Sequence, residues 1–272
     1  MAVVTLLNQK GGVGKTSTCH HLGGALALAG RRVLLVDNDP QSSLTQGLWG
    51  PPAARALDPA ETLAAVYRGD EPFPEQVIRP SGVAGVDLVA GHRQVNGWNL
   101  PFPESAAAET QLLLRTFLEP VRDAYDWVLI DCPPNLLLCS WAALVASDGL
   151  VVPLQPEDYG AQGVVDVQDS VAMARGGPNP SLALLGFLIT MSTQRRTIHK
   201  LYEESLRGLY GRSVFDTVVP YAADYPEAIA ARKPVNLYKP RSTAAKAMTA
   251  LAAELESRAA AAVSGPLTTE AA

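Results

Sequence analysis

Short runs of apolar residues alternate along the chain with longer segments of helical periodicity. The apolar runs predict strands at Val3–Leu7, Val33–Val36, Val86–Val89, Trp127–Ile130, Leu150–Pro153, Leu184–Ile189 and Val214–Val219. Because these runs are apolar almost throughout rather than alternating, both faces of the sheet should be covered by helices. The pattern therefore predicts an α/β fold, a three-layer α/β/α sandwich around a mostly parallel twisted sheet.

Helical spacing of apolar residues fills most of the intervals between the strands. The predicted helices are Lys15–Leu28, Pro59–Arg68, Ala106–Asp123, Ala161–Ala174, Ile198–Tyr210 and Thr243–Ala260. The proline-rich stretch Trp49–Pro59 and the stretch Gly91–Ser105 lack periodicity and are predicted connections. We expect one domain over residues 1–258, followed by a flexible, alanine-rich tail at residues 259–272.

Composition narrows the class of protein. With 47% hydrophobic and 18% charged residues, the 272-residue chain has ample material for a core. A net charge of −5 argues against a surface coated with nucleic-acid-binding charge. Three cysteines without zinc-ligand spacing favour a reducing, cytoplasmic environment, and no apolar run approaches the roughly 20 residues of a membrane-spanning helix.

A glycine-rich loop, NQKGGVGKTS at residues 8–17, lies between the first predicted strand and the first predicted helix. Its glycines allow positive φ angles, so that successive N–H groups can surround a phosphate at a helix N-terminus. Lys15 would reach the β- and γ-phosphates, and the Thr16 hydroxyl would ligate Mg²⁺. Gln9 stands where the strict Walker pattern has glycine, and a second lysine, Lys10, follows it. A lysine there would be attracted to triphosphate, from its own or a facing subunit.

The loop KGGVGKTS resembles the deviant Walker A loop of the ParA/MinD ATPases, in which the extra lysine contacts nucleotide across an ATP sandwich dimer. Val36–Gln41 resembles the second acidic motif of that family, Val128–Pro134 resembles its Walker B strand, and Val218–Val235 falls where its nucleotide-base loop lies. The resemblance covers roughly residues 1–255. It implies a P-loop ATPase that uses ATP and Mg²⁺ and forms an ATP-dependent homodimer.

The resemblance also implies roles for individual residues. Nucleotide would be held by Lys10, Gly11, Gly12, Val13, Gly14, Lys15, Thr16, Ser17 and Pro220. Mg²⁺ would lie near Thr16, Asp37 and Asp131, and the catalytic residues would be Lys10, Lys15 and Asp39, with Asp39 positioning the attacking water.

The carboxylates also fit these roles by position. Asp37 and Asp39 follow one predicted strand and Asp131 closes another, at the strand ends where open α/β sheets bind ligands. A carboxylate there can orient water or support Mg²⁺ through water. The alternatives are a turn cap before Pro40 for Asp37 or Asp39, and a solvated strand end for Asp131.

The cysteines and histidines offer weaker alternatives. Cys132 and Cys139 could suggest an iron–sulfur cluster of the kind that nitrogenase-type reductases hold between subunits, but their apolar surroundings favour core packing. His20 and His21 are assigned to packing or a helix face.

Charge is unevenly distributed along the chain. The segment from Thr190 to Lys246 carries ten Lys and Arg against five acids, a net charge of +5, which leaves −10 for the rest. This predicts either a basic face that binds DNA non-specifically or an ordinary solvated surface. The predicted DNA-binding residues are Arg195, Arg196, Arg232, Lys233, Lys239 and Arg241. One departure from the family is residues 220–224, which lack the arginines of many chromosomal members.

The expected function is that of a ParA-like ATPase on the nucleoid. Its ATP-bound dimer would bind DNA, and slow hydrolysis, stimulated by a ParB-type partner or a cargo adaptor, would release it and drive segregation of plasmid or chromosome DNA. The alternatives are the same switch positioning a protein cargo, and a P-loop metabolic enzyme such as a ligase or reductase. Membrane binding is not expected, because the C-terminal helix and tail lack a basic amphipathic face.

Overall fold

The computed structural model describes residues 1–100, 103, 106–156, 160–193 and 196–264. Its single seven-stranded sheet has the order β3-β4-β2-β5-β1-β6-β7. The strands are β1 (Ala2–Leu6), β2 (Val33–Asp37), β3 (Ile78–Val83), β4 (Val86–Val89), β5 (Trp127–Asp131), β6 (Gly149–Leu154) and β7 (Ala183–Ile189). All neighbouring strands pair in parallel except β3 and β4, which form an antiparallel hairpin at one edge.

Helices connect the strands and cover both faces of the sheet. They are α1 (Lys15–Leu28), α2 (Ser43–Trp49), α3 (Pro51–Arg55), α4 (Leu63–Arg68), α5 (Pro74–Val77), α6 (Ala108–Leu118), α7 (Leu138–Ala146), α8 (Gly160–Gly176), α9 (Thr197–Tyr210), α10 (Asp224–Ala230), α11 (Val235–Tyr238) and α12 (Thr243–Ser264). Short 3₁₀ turns occur at Pro59–Glu61, Arg93–Gly97, Glu119–Val121 and Gly211–Ser213.

Two hydrophobic cores lie on opposite faces of the sheet. One packs β-strand residues against α1, α2 and α12, through side chains such as Leu26, Leu44 and Leu251. The other packs the sheet against α4, α6, α7, α8 and α9, through side chains such as Leu114 and Leu206. Because strand residues are buried on both sides, the predicted three-layer sandwich with a mostly parallel sheet is confirmed.

The predicted strand Val214–Val219 does not form. The segment makes only isolated parallel bridges, Phe187 with Val214 and Ser192 with Pro220. Side chains of α12 bond to backbone groups of this segment. Arg258 donates to the Val214 oxygen at 2.8 Å. Glu254 accepts from the N–H groups of Asp216 and Thr217, both at 2.8 Å. Apolar composition alone does not reveal such competition for the backbone.

The edge strand β3 was not predicted. Its sequence, IRPSGV, contains a proline and a glycine, and Gly82 has a φ of +92°. Proline is tolerated on an edge strand because one side of that strand needs no hydrogen-bond donor. A strand with this composition lacks the apolar run by which the central strands are recognised.

Several predicted boundaries also differ. The predicted connection Trp49–Pro59 contains α3, which has prolines at its first two positions, and the connection at 91–105 contains the 3₁₀ turn Arg93–Gly97, while part of it lies outside the described residues. Thr62, whose hydroxyl accepts from the Ala64 N–H, separates the turn at Pro59–Glu61 from α4. Helix α12 continues through Ser264, into the predicted tail, and residues 265–272 lie outside the described part.

Helix α1 packs unusually closely on the segment before α11. A Cβ atom at Gly24 would overlap the ring of Pro234, whereas one at Gly208, in α9, would meet nothing within 4 Å. Alanine normally stabilises a helix by about 1 kcal/mol relative to glycine. We therefore expect Gly208→Ala to raise the melting temperature by about 2–4 °C, and Gly24→Ala to lower it because the overlap outweighs that gain.

Thermal unfolding of the two variants beside the wild type measures this difference. A Gly24→Ala protein as stable as Gly208→Ala would contradict the packing of α1 on Pro234.

Candidate functional site

Three central strands bring the predicted phosphate loop and carboxylates to one edge of the sheet. Strand β5 lies between β1 and β2, and its last residue, Asp131, pairs in register with Leu6 on one side and Asp37 on the other. Because all three strands are parallel, their carboxyl ends lie together. The loop at residues 8–17 and the carboxylates of Asp37 and Asp131 therefore meet there, as open α/β sheets arrange ligand sites.

The phosphate loop turns back on itself through its glycines. Gly12 and Gly14 have φ angles of +78° and +83°, a region that favours glycine, and α1 begins directly after Gly14. Among the other predicted nucleotide-binding residues, Gly11 is exposed, Val13 is buried, and Thr16 and Ser17 are half-buried at the start of α1. The loop thus places backbone N–H groups at a helix N-terminus, which suits a phosphate.

The two lysines of the loop have different surroundings. Lys15 is buried, and its Nζ donates to the carbonyl oxygens of Asn8 at 3.0 Å and Lys10 at 3.1 Å. Burial lowers the pKa of Lys15, and the negative charge of Asp131 acts against that shift. The side chain of Lys10 is exposed. Lys15 is therefore held within its own site, and Lys10 is accessible from outside it.

Side chains beyond the loop fix its backbone. The Thr190 hydroxyl donates to the Val13 oxygen at 2.8 Å, and the Gln155 amide donates to the Gly12 oxygen at 3.0 Å. Asn8 is held in turn by the Pro153 oxygen at 2.7 Å. Sequence reasoning missed Gln155 and Thr190, and their only signal was that each follows the end of a predicted strand.

Asp131 is a fully buried carboxylate. Neither of its oxygens has a hydrogen-bond partner of good geometry among the described residues. Burial raises its pKa well above the ordinary value and the nearby charge of Asp37 adds to the shift, while Thr16 and Lys15 act against it. A buried acid without a partner is costly unless a cation or water joins it. Asp131 and Thr16 therefore fit the predicted Mg²⁺ site.

No cluster of three or more His, Cys, Asp and Glu side chains in the described part of the chain could hold a metal by itself. Mg²⁺ usually keeps several waters and binds through one or two carboxylates plus substrate phosphates. The donor set here has that character, since it offers one orphaned carboxylate and one hydroxyl beside a phosphate loop.

Asp37 lies one strand away and holds the start of α2. Its Oδ2 accepts from the N–H of Thr45 at 2.7 Å and from the Thr45 hydroxyl at 2.6 Å, while Oδ1 has no partner among the described residues. Burial raises the pKa of Asp37 to about 7, and the bonds from Thr45 oppose this shift. A Cβ at Gly91 would lie 2.8 Å from the Asp37 Cγ, and the Gly91 N–H donates to the Thr45 hydroxyl at 2.9 Å.

Asp37 thus bonds to α2 rather than capping a turn before Pro40, and its Oδ1 has no hydrogen-bond partner among the described residues. Thr45 and Gly91 join the site although sequence reasoning did not select them. Two residues on, Asp39 is half-buried, and its Oδ1 accepts from the Gln41 N–H at 2.9 Å in a local turn. Its charge also acts on Lys15.

Pro220 lies beside a small cleft that adjoins the phosphate loop. The cleft has a volume of about 220 Å³ and is lined in part by Gln155, Met191, His199 and Tyr221. Pro220 itself forms the isolated bridge with Ser192 and precedes Tyr221. Because Gln155 lines the cleft and also bonds to the Gly12 oxygen, the cleft adjoins the phosphate loop.

The cysteines and the two histidines of α1 belong to the interior. Cys19, Cys132 and Cys139 are all buried free thiols, and burial raises the pKa of each. Burial also lowers the pKa of His20 to about 4 and that of His21 further below its ordinary value. Thiolates and protonated imidazoles are both disfavoured, which supports packing roles for these residues.

The predicted DNA-binding residues fall into two groups. Arg232 donates to the oxygens of Gln46 and Gly47 at 2.6 and 3.5 Å, and Lys239 pairs with Asp224 and Glu227 at 2.7 and 2.6 Å. By contrast Arg196, Lys233 and Arg241 are exposed, and within the described ranges their side chains form no ion pair or hydrogen bond. Arg195 lies outside the described residues.

The buried acid Asp131 gives a pH-dependent prediction for the nucleotide-free protein. In the unfolded chain this carboxyl loses its proton above about pH 4, whereas in the folded state its raised pKa keeps it protonated. The free energy of unfolding therefore decreases as pH rises above about 4. Asp131→Asn removes that cost. We expect the variant to melt above the wild type, by a margin that is larger at pH 8 than at pH 5.

Asp123→Asn, at an exposed position, is the matched control and should change the melting temperature little at either pH. An Asp131→Asn margin that stays constant from pH 5 to pH 8 would mean that the carboxylate is not strained by burial.

The chain is similar to a known protein family and to the proteins ParA and Soj. The AAA domain family matches residues 1–184. The chain is 34% identical over 260 residues to the chromosome partitioning protein ParA of Caulobacter vibrioides, covering 95% of each chain. It is also 34% identical over 255 residues to the sporulation initiation inhibitor protein Soj of Bacillus subtilis, covering 93% of this chain and 97% of Soj.

Solved structures agree on the fold. A Mycobacterium smegmatis protein described as cobyrinic acid a,c-diamide synthase, with bound ADP and magnesium, superposes with a TM-score of 0.80 at 28% identity over 99% of both chains. Apo McdA of Cyanothece superposes with a TM-score of 0.81 at 20% identity, over 94% of this chain and 99% of that one. Within the described residues, no helix has the length and apolar character needed to cross a bilayer.

Proposed function

Because this chain belongs to the AAA domain family, and within it to the ParA-type ATPases, we propose that it forms an ATP-dependent sandwich dimer that binds DNA non-specifically and segregates DNA with a ParB-type partner. The chain is an ATPase, and its cofactors are ATP and Mg²⁺. The proposal concerns what the ATPase cycle controls.

The residues at the strand ends have different roles in phosphoryl transfer. The N–H groups of the phosphate loop and the buried ammonium of Lys15 hold the triphosphate and neutralise the charge that develops on it. Asp39 orients the attacking water, and Thr16, Asp131 and the remaining oxygen of Asp37 would hold Mg²⁺. Mg²⁺, when bound, supplies further charge neutralisation at the phosphates. The Pro220 segment and its adjoining cleft receive the base.

The observation that carries the dimer proposal is the contrast between the two loop lysines. Lys15 already supplies the cation of its own site, in a buried position with two carbonyl partners. Lys10 is exposed at the same loop and carries a second positive charge. An exposed cation on a phosphate loop is placed to reach nucleotide bound by a facing subunit. Two such loops would clasp two triphosphates between them.

Lys10→Ala tests this role directly. We expect the wild type to become dimeric with a non-hydrolysable ATP analogue and to remain monomeric with ADP, and we expect Lys10→Ala to stay monomeric with both nucleotides. Light scattering after size-exclusion chromatography measures the mass. Lys246→Ala, which removes an exposed lysine from α12, should dimerise like the wild type. Unchanged dimerisation of Lys10→Ala would refute the assigned role.

DNA binding in this proposal depends on exposed basic residues of the C-terminal half. Lys233 and Arg241 are exposed near α11, and Arg196 is exposed next to α9. The contacts of Arg232 with α2 and of Lys239 with two acids favour structural roles for those two side chains over direct phosphate contact. Arg195 remains a proposed contact. Phosphate contacts of this kind are independent of sequence and weaken with salt.

A gel shift with the charge-reversal variant Lys233→Glu/Arg241→Glu tests this surface. We expect wild-type protein to retard duplex DNA with a non-hydrolysable ATP analogue but not with ADP, and to bind less tightly as salt is raised. The double variant should bind at least tenfold more weakly, with its ATP-dependent dimerisation intact. Arg115→Glu, on α6, is the control. Equal DNA binding by the double variant would exclude this surface.

Two other functions use the same ATPase domain. In one, the switch positions a protein cargo, and identifying a partner encoded beside the gene would distinguish it from DNA partition. In the other, the chain is a P-loop metabolic enzyme, as the description of the M. smegmatis structure suggests. The chain is 34% identical to ParA of Caulobacter vibrioides and 28% identical to the M. smegmatis protein, which favours the partition ATPase.

A further inference from the structure

A concave cleft of about 410 Å³ lies beside the loop that follows Asp39. Its polar wall includes Arg55 from α3, Arg93 from the 3₁₀ turn Arg93–Gly97, and the amide side chains of Gln41 and Gln94. We call it the Arg55–Arg93 cleft. None of these residues was assigned a role in nucleotide or DNA binding.

The Arg55–Arg93 cleft carries the positive charge of two arginines. Both are exposed, and within the described ranges neither forms an ion pair or a hydrogen bond through its side chain. Among the described residues, no acid lines the cleft, although Asp58 lies between Leu57 and Pro59 of its wall. Partial burial lowers the pKa of His92, also in the wall, and the positive charges of Arg93 and Arg68 lower it further, while Asp58 acts in the opposite direction. An anionic ligand would therefore be attracted to this cleft.

The apolar part of the wall is aliphatic. Ala54, Leu57 and the rings of Pro40 and Pro59 line it, and no Phe, Tyr or Trp does. Proteins that bind single-stranded nucleic acid commonly stack bases on aromatic side chains. Two guanidinium groups at the rim of an apolar depression instead suit carboxylates, which arginine can bind through two parallel hydrogen bonds, next to aliphatic side chains.

We propose that the Arg55–Arg93 cleft binds an acidic segment of a partner protein, with carboxylates of the segment paired to Arg55 and Arg93 and its aliphatic side chains packed on Ala54 and Leu57. The occupant is a peptide rather than a nucleic acid because the cleft is concave, half apolar and, among the described residues, lined by no Phe, Tyr or Trp.

The position of the cleft connects it to the nucleotide site. Gln41 and Ser42, in its wall, directly follow Asp39 and Pro40, and Ser42 has a φ of +55°, which is uncommon for a residue with a side chain. Gly91, also in the wall, donates to Thr45, the residue that holds Asp37. A bound segment would thus touch the loop that follows Asp39 and, at Gly91, the residue bonded to the Thr45 side chain that holds Asp37.

This position makes ATP turnover responsive to the bound segment, a consequence that rests on the proposed roles of Asp37 and Asp39. The binding of the segment does not rest on them, because neither nucleotide nor Mg²⁺ contributes to the cleft. Binding and turnover can therefore be measured separately.

The test uses the full chain and a fluorescein-labelled acidic peptide, Glu-Glu-Leu-Leu-Glu-Glu-Leu. A second peptide, in which every Glu is replaced by Gln, is the uncharged probe. We expect fluorescence anisotropy without nucleotide to give a dissociation constant below 1 mM for the acidic peptide and at least tenfold weaker binding of the uncharged one. Arg55→Glu/Arg93→Glu should weaken binding of the acidic peptide at least tenfold, whereas Arg115→Glu should not change it.

Three results would overturn the proposal. They are no binding of the acidic peptide up to 1 mM, equal binding of both peptides, and equal binding of the acidic peptide to the wild type and to Arg55→Glu/Arg93→Glu. If the double variant instead loses DNA binding and keeps peptide binding, the cleft is part of a nucleic-acid surface. If the wild type does not bind DNA in the presence of a non-hydrolysable ATP analogue, the proposed partition function is wrong. That result would not affect the conclusion from peptide binding.

Discussion

The ammonium of Lys15 and the carboxylate of Asp131 are buried together at the carboxyl edge of the sheet, and the rest of the site depends on this arrangement. Lys15 bonds to carbonyl oxygens of its own loop, and Asp131 has no partner among the described residues. Both charged forms are disfavoured by burial, as their shifted pKa values record. A bound triphosphate with its cation would compensate the charges of both groups at once. The free energy that their burial costs in the nucleotide-free protein therefore favours nucleotide binding.

Hydrogen bonds connect Asp37 to α2, and α2 to the segment before α11. Thr45 links Asp37 to α2, and Gln46 and Gly47 in the same helix accept from Arg232. The next residue along the chain, Lys233, is exposed and belongs to the proposed DNA surface. Asp37 and the segment before α11 are thus both hydrogen-bonded to α2. Gln46 of the same helix also lines the Arg55–Arg93 cleft.

Much of this could be predicted from sequence, for identifiable reasons. The central strands are buried on both faces and read as apolar runs, and the loop at residues 8–17 combines glycines and lysines at a spacing that few other structures need. The edge strand β3 was not predicted because proline and glycine interrupt its apolar run. The predicted strand Val214–Val219 does not form, and Arg258 and Glu254 bond to its backbone groups instead. Contacts such as Gln155 with Gly12 and Gly91 with Asp37 join residues remote in sequence, so no local pattern could reveal them.

The most direct measurement is a crystal structure of the full chain with a non-hydrolysable ATP analogue and Mg²⁺. The account predicts two subunits facing each other, with the Nζ of Lys10 from each subunit at hydrogen-bond distance, about 3 Å, from a phosphate oxygen held by the other. Lys15 should contact the phosphates of its own subunit. A nucleotide-loaded monomer, or a dimer in which Lys10 contacts no nucleotide across the interface, would contradict it.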